Sequence, residues 1–313
     1  MARPPFVLVA SLCLILVPCL ARAEAGNADA SAAENPSPPA TGFVGYVDRR
    51  ARELPATHWR AELDFPLELT QRLLWDTAYI VTEPGRWDAP DWARFGAFAA
   101  ATGGSFAADR TIDIESRIRH PRRDSERRVE DGFEELCDLG GVVGVVGGSA
   151  LIGLATGNEL AEQVSVDSGE ALLISAMMTE SLKETTGRSR PNRGDGPFTF
   201  HPFSGNASFP SGHATAAFAM AAVLSEHFEN RLWVAAPVYG LAAMVALART
   251  RQNAHFASDV IVGGAIGAAT GREIVTLEAD RLGREQGTSG GARVSVQPKV
   301  SPGFSGIELT LRY

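Results

Sequence analysis

Residues 208–228 read SFPSGHATAAFAMAAVLSEHF, and this stretch decides how the rest of the chain is read. From Ala214 to Leu224 the residues are almost all apolar and mostly small, which reads as an apolar helix running to Phe228. Ser211 is a good N-cap for a helix here, and Gly212 lets a ligand approach the backbone closely. The free N–H groups and the dipole at a helix start bind phosphate readily. His213, in the first turn, has no capping duty to explain it. Alone, the segment is equally compatible with a plain capped helix.

Outward from it, residues 139–156, 170–186, 232–248 and 257–277 read as further apolar helices rich in Gly, Ala and Ser. Helical signal dominates residues 87–282, and small side chains let helix backbones come close together. The expected fold is therefore mainly α, a helical bundle. A spanning helix needs about 20 mostly apolar residues. Segments 139–156 and 232–248 come near that, whereas 214–225 and 260–271 are short between charges. The reading is a soluble helical core, with a membrane surface as an alternative setting.

Two more segments concentrate unusual chemistry. Residues 183–191, KETTGRSRP, place Lys183 and Arg190 two helical turns apart, and Pro191 disfavours helix at Arg190. Two cations converging at a helix end invite an anion, Arg with a planar fork and Lys with a point charge. Of the 29 basic residues only Lys183 and Lys299 are lysines, so an Arg-writing chain has kept a compact ammonium at 183. In the third segment Arg249 precedes His255 and Asp259. Spaced i,i+4, these two can pair on one helical face, which would fix the imidazole tautomer and leave the far nitrogen as base or nucleophile. Taken singly, a solvated helix end and a surface His–Asp pair explain these segments equally well.

Together the three segments resemble the type 2 phosphatidic acid phosphatase and vanadium-haloperoxidase superfamily. Its signature is Lys, six residues, Arg-Pro; then Pro-Ser-Gly-His; then Ser-Arg, five residues, His, three residues, Asp. The chain matches at Lys183, Arg190, Pro191, Pro210, Ser211, Gly212, His213, Arg249, His255 and Asp259, with Ala248 where the family usually has Ser. The resemblance implies the helical bundle of that superfamily and an acid phosphatase working through a phosphohistidine. It assigns His255 as nucleophile, Asp259 as its orienting carboxylate and His213 as acid to the leaving oxygen. Lys183, Arg190, Ser211, Gly212 and Arg249 would hold the phosphate, with no metal and no cofactor. The implied substrate is a phosphorylated lipid or small molecule. Rival readings are a vanadium-dependent haloperoxidase and a catalytically idle envelope protein.

The remaining sequence supplies the setting. Arg3, the apolar run 6–17 and Ala21-Arg22-Ala23 read as an export signal over residues 1–23. Residues 24–42, rich in Ala, Asn, Ser and Pro, read as a disordered linker. Leu67, Leu73, Leu74, Ala78 and Val81 mark an amphipathic helix within an N-terminal helical extension, 43–86, closed by Pro84-Gly85. The phosphatase core is expected over 87–282, with a charged surface helix or loop at 117–135. Alternating Val294, Val296, Val300 and Ile307, Leu309, Leu311 around Pro302-Gly303 predict a β-hairpin over 290–313. Cys13 and Cys19 fall in the signal, so Cys137 would be left without an intramolecular disulfide partner. A formal net charge of −8 argues against a nucleic-acid partner. His58, His120, His201 and His227 read as surface or structural. Phe198, Phe200 and Phe203 lie between two phosphate-binding segments, where they would line the entrance for an apolar leaving group or pack on the core.

Overall fold

The structure is a computed structural model that describes residues 42–54, 65–119, 128, 132, 139–288, 293–301 and 304–312. The signal, the linker, the three cysteines, His58, His120 and most of segment 117–135 lie outside the described residues. Among those described, the helices are α1 Gly42–Arg52, α2 Phe65–Val81, α3 Ala89–Arg119, α4 Leu139–Thr156, α5 Glu159–Thr186, α6 Gly212–His227, α7 Leu232–Arg251 and α8 Ala257–Thr288. Strands β1 Arg293–Ser301 and β2 Phe304–Arg312 pair antiparallel.

Two helices are longer than the apolar pattern marks. α5 begins at Glu159 because Asn158 caps it, its side chain accepting from the Ala161 N–H at 3.1 Å, with Glu159 and Glu162 in the first turn. It ends at Gly187, whose φ of 58° is left-handed and whose N–H returns to Lys183 O at 2.8 Å. A Cβ at Gly187 would stand 1.7 Å from His201 O, so no other residue fits there. α8 runs past Leu277 to Thr288, and two of the charges that follow, Glu278 and Arg281, are buried and paired rather than solvated. Arg281 donates to both oxygens of Asp76 and to Ala51 O, and Arg72 donates to Glu278 at 2.7 Å. Glu170, also buried, faces Arg72 at 3.5 Å, and burial raises its carboxyl well above the ordinary value. Removing one partner of so deep a pair costs about 3–5 kcal/mol. These ion pairs tie α1 and α2 to α8. Beside them, Val47, Ile80, Ile174, Val223 and Ile274 share one apolar cluster. Leu74 and Val81 point outward instead, contrary to the amphipathic reading, because the buried face of α2 is taken by Arg72 and Asp76.

The arrangement that positions the site is the contact of α6 with α8. Cβ atoms added at Gly263, Gly267 and Gly271 would meet Ser211 O at 2.5 Å, Thr215 O at 2.0 Å and Ala219 O at 2.5 Å. Each step of four on α8 matches a step of four on α6 in the same direction, so the two helices are parallel and touch backbone to backbone. Their N-termini therefore open at one end of the bundle. α5 runs the other way: Thr179 Oγ1 bonds Thr215 Oγ1 at 3.2 Å, and Lys183 Nζ lies 3.2 Å from a Cβ built on Gly212. α7 returns the chain from the end of α6 to the start of α8.

The glycine contact gives a direct test. Gly267→Ala must push α6 and α8 apart, and overpacking of this kind costs about 1–3 kcal/mol, which lowers Tm by about 2–12 °C. Gly240→Ala on α7, with nothing within 4 Å of the added methyl, should leave Tm unchanged or raise it. Equal melting temperatures for the two variants would refute the parallel contact.

Candidate active site

The common end of α5, α6 and α8 gathers the residues singled out in the sequence. Ser211 caps α6, its side chain facing the Ala214 N–H, and its own N–H donates to Asp259 O at 3.0 Å. Lys183 reaches the same helix start and pairs with Glu180 at 2.6 Å. Arg190 sits at the extended residue before Pro191, as its proline neighbour requires. The turn that follows is pinned by Asn192 N–H donating to Asn253 O at 3.1 Å. Arg249 closes α7, holding Gln252 Oε1 at 2.8 Å. Ala248 is buried behind it and carries no hydroxyl to add a hydrogen bond.

His255 is buried, and its Nδ1 lies 2.7 Å from the Ser208 carbonyl. A carbonyl only accepts, so Nδ1 carries the proton and the neutral ring keeps its lone pair on Nε2. The i,i+4 spacing had pointed to Asp259 as the partner, yet Asp259 Oδ2 stands 3.7 Å away. That oxygen instead accepts from Ser208 Oγ at 2.6 Å and from Phe256 N–H at 2.8 Å. Asp259 thus caps its own helix and holds Ser208, whose carbonyl orients the ring. Burial pulls the His255 pKa down; Asp259 opposes this, and the charges of Arg190 and Arg249 add to the depression. Burial alone would raise the Asp259 carboxyl, but Arg188, His255 and Ser208 together hold it below its ordinary value.

Arg188, Asp109, Ser208 and Ser258 belong to this site, and the sequence patterns missed them as functional residues. Arg188 is 0% exposed and spends all five N–H donors. Nη1 serves Asp259 Oδ1 at 2.5 Å and Ser258 Oγ at 2.7 Å. Nη2 serves Asp109 Oδ2 at 2.8 Å and Pro197 O at 2.7 Å, and Nε reaches Pro197 O at 2.9 Å. The rings of Phe256 and Phe106 flank it with centroids at 4.3 and 4.7 Å. Only the Lys183–Arg190 spacing was read in that motif, and a buried Arg inside it leaves no periodic trace.

The loop after Pro191 splits the three aromatics. Phe200 packs over Arg188, its centroid 5.5 Å away, so it is structural. Phe198 and Phe203 are 53% and 76% exposed. An open cavity of about 280 Å³ beside Arg190 is lined by Arg190, Asn192, Arg193, Gly205, Asn206 and Ala207. His227 bonds Asp167 at 2.9 Å on the far end of α6 and is structural, as expected.

Residues 165–282 match the family model described as the PAP2 superfamily. Lipid A 1-phosphatase of Rhizobium etli is 39% identical over 101 residues, 31% of this chain and 42% of that one. Its counterpart in Porphyromonas gingivalis is 37% identical over 65 residues, 20% of this chain and 15% of that one. The chain thus spans about two fifths of the length of the Rhizobium relative it matches. A solved structure, the first transmembrane PAP2 type phosphatidylglycerolphosphate phosphatase from Bacillus subtilis, is similar with a TM-score of 0.44 and 20% identity, over 58% of this chain and 91% of that one.

Because its folded-state pKa is depressed, the His255 ring should lose its proton below about pH 6.5, the ordinary imidazole value. Arg249→Gln removes one depressing cation and should move that midpoint upward. Imidazole resonances followed by NMR across pH 4–8 report both, and a wild-type midpoint above the ordinary value would contradict the assigned surroundings.

Proposed function

We propose, from a PAP2 superfamily domain at residues 165–282, that the chain is a phosphatase of the cell envelope, exported by residues 1–23, that hydrolyses a lipid phosphate monoester through a phosphohistidine. The observation that carries this reading is the His255 tautomer: a ring with Nδ1 committed to Ser208 O presents a nucleophilic Nε2 beside Arg190 and Arg249.

Lys183, Arg190, Arg249 and the N-terminus of α6 at Ser211 and Gly212 hold the non-bridging oxygens. Charge stabilisation and positioning are most of what phosphoryl transfer requires. The Nε2 lone pair attacks phosphorus; the P–N bond forms as the bond to the leaving oxygen breaks, and His213 gives that oxygen a proton. His213, now neutral, takes a proton from water as the water oxygen attacks phosphorus. The P–N bond breaks, its electrons return to Nε2, and inorganic phosphate departs with His213 protonated again. The fixed cations take the part that Mg²⁺ plays in kinases, so activity should survive dialysis against EDTA.

Three features support a lipid. The curated relatives are lipid A phosphatases by name. Phe198 and Phe203 stand exposed on the loop between Arg190 and Ser208. Helices Leu232–Arg251 and Ala257–Arg284 are long and apolar enough to cross a membrane; the second is mostly buried inside the protein, but the first is mostly exposed. Leu232, Trp233, Leu241 and Leu247 lie on its open surface, which fits contact with lipid. The polar cavity next to Arg190 would take the hydrophilic part of the headgroup.

His213→Ala should lose about 10²–10⁴-fold on an alkyl phosphate, whose leaving oxygen is strongly basic, and far less on p-nitrophenyl phosphate. His255→Ala should abolish both. Mutants that respond alike to the leaving group would overturn the two assignments. Phe198→Asp with Phe203→Asp should cut turnover of a lipid phosphate in vesicles while sparing p-nitrophenyl phosphate; an equal loss on both would remove the lipid-entrance role.

A further inference from the structure

We propose that Asp109, on α3 and outside the matched segment, is a positioning residue for this phosphoryl transfer, fixing through Arg188 and Ser258 both the place and the net charge of the carboxylate behind His255. The inference rests on the histidine-nucleophile reading above.

Asp109 is sealed from water, and every partner it has is a donor. Oδ1 accepts from the Ser258 N–H at 3.1 Å, satisfying one of the orphan amides at the start of α8. Oδ2 accepts from Arg188 Nη2 at 2.8 Å and from Ser258 Oγ at 2.5 Å. Ser258 Oγ already accepts from Arg188 Nη1, so its one hydrogen goes to Asp109. Burial pushes the Asp109 carboxyl above its ordinary value, and the hydrogen bonds from Ser258 and Arg188 together with the Arg188 charge oppose it. With every partner a donor, no acceptor is present for a carboxyl proton, and the group is held ionised. The set Asp109, Arg188 and Asp259 therefore holds two anions and one cation, closed in by Phe106 and Phe256, and carries one net negative charge.

That charge has a use. The groups that bear on His255 are Asp259 from α8 and the cations Arg190, from the loop before α6, and Arg249, from the last turn of α7, while Lys183 and His213 occupy the same end of α5 and α6. When phosphoryl joins Nε2 while Nδ1 keeps its proton, the ring becomes positive in the midst of these cations. The surplus negative charge behind it offsets that cost. Asp109 also fixes where the charge sits, because its grip on Ser258 and Arg188 sets the start of α8 from which Asp259 and its Ser208 contact hang.

The test is the Asp109→Asn chain, assayed on p-nitrophenyl phosphate with its fold checked by circular dichroism. Neutralising Asp109 leaves the set with no net charge, so the His255 ring releases its proton more easily. The acid limb of kcat/KM should move to lower pH by about half a unit or more, the scale of one charge acting across a protein interior. kcat should fall about tenfold and KM stay within about twofold, because the phosphate-holding cations are untouched. Asp109→Asn with Arg188→Gln removes one charge of each sign and restores the net charge, so its acid limb should return to the wild-type position at a reduced kcat. An unmoved or raised limb in Asp109→Asn overturns the proposal, as does a double variant that keeps the shift. Should the single variant fail to fold, the neutral pair of the double variant still decides: a limb displaced from wild type overturns the charge role. Inactive wild-type protein, or a His255→Ala chain as active as wild type, would instead sink the nucleophile reading, and both are visible before any Asp109 variant is made.

Discussion

Everything at the site depends on two helix backbones that lie against each other in parallel. Gly263, Gly267 and Gly271 remove the side chains that would otherwise hold α8 off α6, and Ser211, Thr215 and Ala219 present their carbonyls to the space. Parallel neighbours put two helix starts, each with free N–H groups and partial positive charge, at the same level. One start meets Lys183 at Gly212; the other carries Asp259, whose backbone carbonyl receives the Ser211 N–H. An antiparallel pair would send one of those ends to the far side of the bundle. The direction of α5, α7 and the loops between them follows from this requirement.

Behind the helix starts the chain has buried a guanidinium and given each of its five N–H groups an acceptor. Lys at this position would bring three donors to a set built for five, and would lack the flat faces that Phe106 and Phe256 cover. The same economy holds at the other end of α8, where Arg281 binds Asp76 and Ala51. Both arginines work inside the protein, so a count of charges says little about the surface.

The motif residues were legible because they are chemically odd where they stand: a lysine in an arginine-rich chain, a histidine in a helix's first turn, cations spaced by whole turns. The bundle was legible from apolar runs, and the helices that follow such runs sit where those runs lie. What escaped depended on charge turned inward. The apolar pattern took Leu74 and Val81 as core, whereas Arg72 and Asp76 hold the buried face, and it marked the last helix only to 277, whereas the helix continues through the buried Glu278 and Arg281. The His255–Asp259 spacing was right as a distance along a helix and incomplete as chemistry, since the near acceptor is a backbone carbonyl 47 positions away that no side-chain pattern records. Asp109 had no signal at all: one acid in a long helix is unremarkable until the fold folds back on it.

The bond between Asp109 and Ser258 joins residues 149 positions apart. Closing so long a loop costs entropy that grows with the logarithm of its length, and contacts this distant form late in folding. A chain that has emerged only as far as α6 has neither Asp259 nor the α8 glycines against which α6 seats. An early helix thus waits on a late one, and until α8 is made Arg188 lacks two of its five hydrogen bonds, those to Ser258 and Asp259.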